Sequence, residues 1–171
     1  DNLAESFHRS FGLPIKIVRP FNIYGPRQSA RAIIPSICIQ ILNDIKEIKL
    51  GNINTTRDLT FVKDTANGFI KISENEKLNG ESVNIGMNEE ISIKNLVEKI
   101  SIITNKKIKI ITDQKRVRPK KSEVSRLVCN NSKIKKFTNW KPKYNLEKGL
   151  KETIDWIEKN KKFFKFEIYN Q

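Results

Sequence analysis

A loop rich in hydrogen-bonding side chains leaves a short apolar strand near one end of the chain. The run Ile15-Lys-Ile-Val18 breaks at Pro20, and Phe21-Asn-Ile-Tyr-Gly-Pro-Arg-Gln28 then carries Asn22, Tyr24, Arg27 and Gln28 past Gly25 and Pro26. Open α/β sheets meet their ligands beyond the carboxyl ends of their strands, so this loop is placed for recognition. A second segment, Thr56-Arg-Asp-Leu-Thr-Phe-Val-Lys-Asp64, sets Arg57 just before another apolar run. Taken alone, Arg57 reads as a surface guanidinium paired to Asp58 or Asp64, an interaction worth little. Asn22 alone has two readings, a ligand contact or a turn residue bonding its own backbone. Asn84, in Val-Asn-Ile-Gly86, is equally a ligand contact or an ordinary strand-end asparagine.

Several other chemistries find no residues here. A dinucleotide fingerprint needs closely spaced glycines so that backbone can approach a pyrophosphate at a helix N-terminus. The glycines fall at 12, 25, 51, 68, 80, 86 and 149, and no two are near enough. Cys38 and Cys129 are far apart, no Cys-x-x-Cys occurs and His8 is the single histidine, so no metal site is expected. The net charge of +14 raises the possibility of nucleic acid. The excess is mostly lysine spread along the chain, whereas phosphate-reading surfaces favour the planar fork of arginine; no nucleic-acid partner is expected. No apolar run approaches the ~20 residues of a membrane span. Asp1–Phe7 lacks the basic-then-apolar pattern of a signal peptide. Reduced thiols favour the cytoplasm. The tail Lys159-Asn-Lys-Lys-Phe-Phe-Lys-Phe166 reads as a helix end docking its aromatics on its own domain, with a membrane surface or acidic partner as the other reading.

The elements that must hold these residues alternate between strand and helix, which argues for α/β layers. A chain of 171 residues, 37% of them hydrophobic, can bury a real core. Asn2–Phe11 reads as a helix stopped by Gly12 and Pro14, and Ile15–Val18 as a buried strand. Pro35 suits the first turn of a helix whose apolar face is Ile34, Ile37, Ile41 and Ile45. Ile48–Leu50 is a brief strand ended by Gly51. Leu59–Val62 is extended, and Asp64 opens a helix with Ala66, Phe69 and Ile70 on its apolar face. Ser82–Ile85 is a strand. Ser92 caps a helix with Ile93, Leu96, Val97, Ile100 and Ile103 on one face. Ile108–Thr112 is a partly exposed strand, Gln114–Ser125 a basic loop and Ser132–Phe137 a short helix. Asn145 caps the last helix.

Taken in order, these motifs resemble the C-terminal half of the extended short-chain dehydrogenase/reductases, the NAD-dependent epimerases and dehydratases of nucleotide-sugars. The resemblance runs from Asp1-Asn-Leu-Ala-Glu-Ser6 to about Trp156. Within that family the strings Arg27-Gln-Ser-Ala-Arg31, Thr56-Arg-Asp58 and Arg118-Pro-Lys-Lys-Ser-Glu-Val124 are most similar to UDP-N-acetylglucosamine 4,6-dehydratases. Asn130 departs from the pattern, which has aspartate there.

The resemblance implies a Rossmann-type fold, with 1–30 the end of the NAD-binding domain and 31–171 mostly the substrate-binding domain. It implies that Arg57 and Arg118 grip a substrate diphosphate, for which two guanidinium forks are suited. Asn22 then contacts substrate and, with Phe21, lies beside NAD. Lys49 and Leu50 belong to a backbone stretch near the uracil, and Asn84 lies near the base or ribose. The implied partners are a UDP-sugar and a second copy in a homodimer. The implied whole enzyme oxidises C4 of the sugar by hydride transfer to NAD, eliminates water across C5–C6 and returns the hydride to C6, which leaves a 4-keto-6-deoxy product. A C4 epimerase on the same scaffold is the first alternative, and a basic polyanion-binding module the second.

The catalytic pair of that superfamily is Tyr-x-x-x-Lys on one helix face. The string Tyr144-Asn-Leu-Glu-Lys148 fits the spacing, but Asn145 is a better cap than a helix-interior residue and leaves Tyr144 outside. No catalytic residue is therefore assigned. The resemblance places the true pair, and the glycine fingerprint, upstream of Asp1, so a longer protein is expected.

Overall fold

The computed structural model describes residues 1–117, 119 and 121–164. In chain order the elements are α1 (Asn2–Phe11), β1 (Ile17–Pro20), β2 (Ile23–Tyr24), α2 (Ile33–Leu42), β3 (Glu47–Leu50), β4 (Thr56–Arg57), β5 (Thr60–Phe61), α3 (Val62–Ser73), β6 (Ser82–Ile85), β7 (Ile91–Ser92), α4 (Ile93–Thr104), β8 (Lys109–Thr112), β9 (Arg126–Leu127), α5 (Ser132–Thr138) and α6 (Leu146–Lys159). They form two compact units, each from three stretches of chain. The first holds Asp1–Ile23, Asp58–Glu90 and Val128–Asn145, the second Tyr24–Arg57, Ile91–Leu127 and Leu146–Gln171.

In the first unit β1 and β6 run parallel, from Ile17 opposite Ser82 to Pro20 opposite Ile85. β1 begins two residues later than its apolar run. The Ile15 carbonyl instead accepts the Gly80 N–H at 2.7 Å, just outside the ladder. β6 alternates as a half-buried strand should: Val83 and Ile85 join Ile72, Leu78, Ile134 and Trp140 in a buried cluster, while Ser82 and Asn84 face the other way.

The start and the packed face of α3 both differ from the expectation. The helix begins at Val62, with Phe61 at the cap position, so Asp64 lies inside its first turn. The Asp64 carboxylate accepts the N–H groups of Lys143 and Tyr144, each at 2.9 Å, and its carbonyl accepts the Trp140 indole N–H at 3.0 Å. The buried residues of α3 are Asp64, Thr65, Gly68 and Ile72, and Ala66, Phe69 and Ile70 are exposed. The reason is close approach: a Cβ at Gly68 would sit 2.8 Å from Ile85 Cδ1 and 3.3 Å from Trp140 Nε1. The helix turns Thr65, Gly68 and Ile72 inward and leaves Phe69 and Ile70 exposed.

In the second unit β3 and β8 are parallel, from Glu47 opposite Lys109 to Leu50 opposite Thr112. β4 is the middle strand of a small sheet, antiparallel to β7 and parallel to β9. Helices α2, α4 and α6 pack on one another. They bury Ile37, Ile41, Leu96, Ile100, Leu150 and Ile154. α2 stops at Leu42, short of Ile45, because Asn43 Nδ2 donates back to the Ile39 carbonyl at 2.7 Å and Asp44 adopts φ +61°. Ser92 caps α4 as expected, its Oγ accepting the Asn95 N–H at 3.1 Å. The basic loop after β8 ends in β9, which its polar sequence did not announce. Phe164 meets Trp156 edge-on with centroids 6.1 Å apart, so the described part of the tail docks an aromatic on α6; Phe166 lies outside the described residues.

Candidate functional site

Arg57 is held by the main chain around it. Its Nη1 donates to the Thr56 carbonyl at 2.7 Å and to the Val124 carbonyl at 2.8 Å, and its Nη2 donates to Glu123 Oε1 at 3.2 Å. The strand pairing of β4 with β9, Arg57 opposite Leu127, brings that loop alongside. Neither Asp58 nor Asp64 pairs with Arg57, as its surface reading required; Glu123 does. Both side chains of the pair are only 16% exposed, so solvent screens it less than a surface pair. Of the five guanidinium N–H groups, three are thus committed. One on Nε and one on Nη2 have no partner among the described residues. Two donors on neighbouring nitrogens are what a two-oxygen anion requires.

The same unit holds Lys49 and Leu50. Leu50 is buried in β3, and its carbonyl accepts the Asp113 N–H at 2.8 Å. Lys49 is exposed, but its backbone is occupied. Gln40 Oε1 accepts the Lys49 N–H at 2.8 Å, and Gln40 Nε2 donates to the Lys49 carbonyl at 3.4 Å. At Lys49 the side chain, not the backbone, is the exposed part. At Gly51 a Cβ would lie 2.3 Å from the Arg116 carbonyl oxygen, so glycine lets the basic loop press onto the end of β3. Arg116 itself pairs with Asp113 at 3.3 Å and is 16% exposed. Arg118 lies outside the described residues.

Phe21, Asn22 and Asn84 fall in the first unit, at the carboxyl end of its parallel strands. Phe21 N–H donates to the Ile85 carbonyl at 2.8 Å. Asn22 is no self-bonded turn residue. Its Nδ2 donates to the Asp58 carbonyl at 3.0 Å, and its carbonyl accepts the Thr60 N–H at 3.0 Å. The fully buried Asp58 carboxylate accepts three backbone N–H groups, from Met87 at 2.8 Å, Asn88 at 2.9 Å and Cys129 at 3.0 Å. Asp58 thus hangs Asn22 from a rigid point. Asn131 ties the same loop from the other side, donating to the Gly86 carbonyl at 2.7 Å.

Gln40 was not singled out by its sequence context, nor were the anchoring roles of Asp58 and Glu123. For Glu123 a signal existed, since it is the only acid among the cations of Gln114–Arg126.

Tyr144 precedes α6, so Tyr144 and Lys148 do not share a helix. Its hydroxyl instead accepts from Lys63 Nζ at 3.3 Å, and its ring lies 4.4 Å from that of Phe61. Burial pushes both thiols up to about 12, with the nearby Asp58 charge adding to the effect at Cys129. Neither is an activated nucleophile. Among the described residues no three His, Cys, Asp or Glu side chains gather as metal ligands, and no helix is long and apolar enough to cross a membrane.

The fold and its loops can be compared with known proteins. A family model described as GDP-mannose 4,6 dehydratase matches residues 1–153. The chain belongs to this family of NAD-dependent nucleotide-sugar epimerases and dehydratases, the extended short-chain dehydrogenase/reductases. Among its relatives is the UDP-N-acetyl-alpha-D-glucosaminuronate decarboxylase of Bacillus cytotoxicus, 34% identical over 85% of this chain and 47% of the relative. The UDP-glucuronate 4-epimerase of Thermodesulfobacterium geofontis is 32% identical over 92% of this chain and 47% of the relative. The crystal structure of dTDP-glucose 4,6-dehydratase from Bacillus anthracis in complex with NAD superposes with TM-score 0.83 at 30% identity, over 96% of this chain and 51% of that one. The chain spans about half the length of the relatives it matches.

NAD in that relative calls for a test of fit here. Glycines at 51, 68, 80 and 86 permit close approaches, but this chain's own atoms fill each one: Arg116 O, Ile85 Cδ1, the His8 ring and Cys129 Cβ. At these four glycines the close approach serves the chain's own packing and leaves no room for a pyrophosphate.

Proposed function

We propose that residues 1–171 form the nucleotide-sugar-binding part of an NAD-dependent enzyme of the UDP-N-acetylglucosamine 4,6-dehydratase type. The observation that carries this reading is Arg57, a largely buried guanidinium with two neighbouring donors uncommitted. In this reading those donors meet the diphosphate. Arg118, on its sequence pattern, supplies the second fork. Asn22, hung from Asp58, contacts the substrate and with Phe21 borders the cofactor. Asn84 serves the base or ribose, and Lys49 and Leu50 border the uracil. Bound NAD would supply the oxidising equivalent at C4 of the sugar, and the complete enzyme would act as a cytoplasmic homodimer.

Calorimetric titration of the purified chain with UDP, UDP-N-acetylglucosamine and duplex DNA tests the reading. Saturable UDP binding that Arg57→Ala weakens supports it. Binding of DNA without UDP would favour a polyanion module. The identity to a 4-epimerase keeps that reaction as the second reading, and the product of the complete enzyme, a 4-keto-6-deoxy sugar or a C4 epimer, distinguishes the two.

A further inference from the structure

We infer that Glu123 is a positioning residue for Arg57, fixing which edge of the guanidinium faces the ligand. The inference rests on the reading of Arg57 as the diphosphate residue and adds a role for an acid that no motif assigns. The geometry supplies the reason. The two carbonyls of Thr56 and Val124 consume both donors of Nη1. Because the guanidinium is planar, they restrain it from the Nη1 end alone. Glu123 is the third contact, at 3.2 Å from Nη2, and it braces the group at its second terminal nitrogen. Glu123 and Val124 are consecutive, so one short segment supplies both the carbonyl and the carboxylate. With both terminal nitrogens held, the donors left on Nε and Nη2 keep a constant position. An arginine side chain otherwise loses much rotamer freedom on meeting a ligand. Here that freedom is already spent, so binding costs less.

The carboxylate could instead act as a competitor, a built-in anion that a diphosphate must displace. The contacts argue against that. Glu123 engages one Nη2 donor only, and Arg57 keeps two others open, so a phosphate can bind without expelling it.

The two roles predict opposite results in the purified 171-residue chain. Positioning predicts that Glu123→Ala weakens UDP binding about tenfold, the worth of ordering a charged hydrogen bond. Glu123→Gln, which keeps an acceptor on the same stem, should lose clearly less. The Arg57 Nε–H resonance, assigned by its loss in Arg57→Lys, should be sharp in the wild type and broadened in Glu123→Ala. UDP affinity equal to or above wild type in either Glu123 variant overturns the inference. If Arg57→Ala is weak while the Glu123 variants are not, only the positioning role falls; if Arg57→Ala also binds as wild type, the diphosphate reading falls with it. Should Glu123→Ala fail to fold by circular dichroism, Glu123→Gln and Glu123→Asp decide the matter. The shortened aspartate must then bind more weakly than the glutamine variant.

Discussion

The Asp58 carboxylate accepts the Cys129 amide at 3.0 Å across 71 residues of sequence, and the same oxygen accepts Asn88 N–H at 2.9 Å. One buried carboxylate thus ties together two loops that the Asn131–Gly86 hydrogen bond also joins. Asp58→Asn keeps the shape but turns an amide donor toward backbone donors. We expect a loss of about 2–4 kcal/mol in unfolding free energy, as for a buried charged acceptor removed from its partners. Urea titration followed by circular dichroism measures it, and a change under 1 kcal/mol would show that the loops hold without Asp58.

Removing the guanidinium should affect the ligand more than the fold. Arg57→Ala is expected to weaken UDP binding by about 1.5–3 kcal/mol, with Arg57→Lys recovering only part. The measurement is calorimetry at two ionic strengths. Equal UDP affinity in wild type and Arg57→Ala would remove the diphosphate assignment.

Gly51→Ala tests whether the basic loop must touch the end of β3. The new Cβ would lie 2.3 Å from a backbone oxygen, Arg116 O, which cannot rotate away. A stability loss of about 1–3 kcal/mol, typical of overpacking, should accompany weaker UDP binding. Gly12→Ala is the control. Its φ of +66° is strained for alanine, but nothing lies within 4 Å, so about 1 kcal/mol is expected, without any effect on UDP.

The two buried thiols set an alkaline limit. Both have pKa values raised to about 12, so the folded chain keeps protons that the unfolded chain releases above the ordinary thiol range. Their contribution is complete below that range and is lost as pH climbs toward 12, since stability falls wherever the unfolded state binds fewer protons. Midpoints of thermal unfolding should therefore drop between pH 8 and pH 10.5 more steeply in wild type than in a Cys38→Ala, Cys129→Ser double variant, on the order of the thiol pKa. Prompt reaction of either native thiol with a disulfide reagent at pH 8 would contradict the burial on which this rests.

The strand and helix order was legible because each segment carries its own period and stop signals. Ser92 and Gly51 did locally what their types allow. α3 was misread at its face for a reason internal to packing. Hydrophobicity marks Phe69 and Ile70, but approach to Ile85 and Trp140 selects Gly68 and Thr65. Arg57 could be singled out from sequence, whereas its pairing with Glu123 could not. Glu123 lies 66 residues away and meets Arg57 only through the pairing of β4 with β9, two residues long and without an apolar signature. The bond from Gln40 to the Lys49 backbone was not legible, because a glutamine side chain nine residues earlier gives no sign of which carbonyl it will seek.

That glutamine has a consequence for how the chain keeps to itself. β3 pairs with β8 along one edge, and an open edge on the other side would invite a strand from a second molecule. At Lys49 both groups such a strand would need are taken by a single side-chain amide, which imitates the missing neighbour. The flanking Lys46, Glu47 and Lys49 add charge along the same exposed border. Sheet growth therefore ends at a side chain anchored to α2 through the Ser36 carbonyl, and edge-to-edge polymerisation finds no template there.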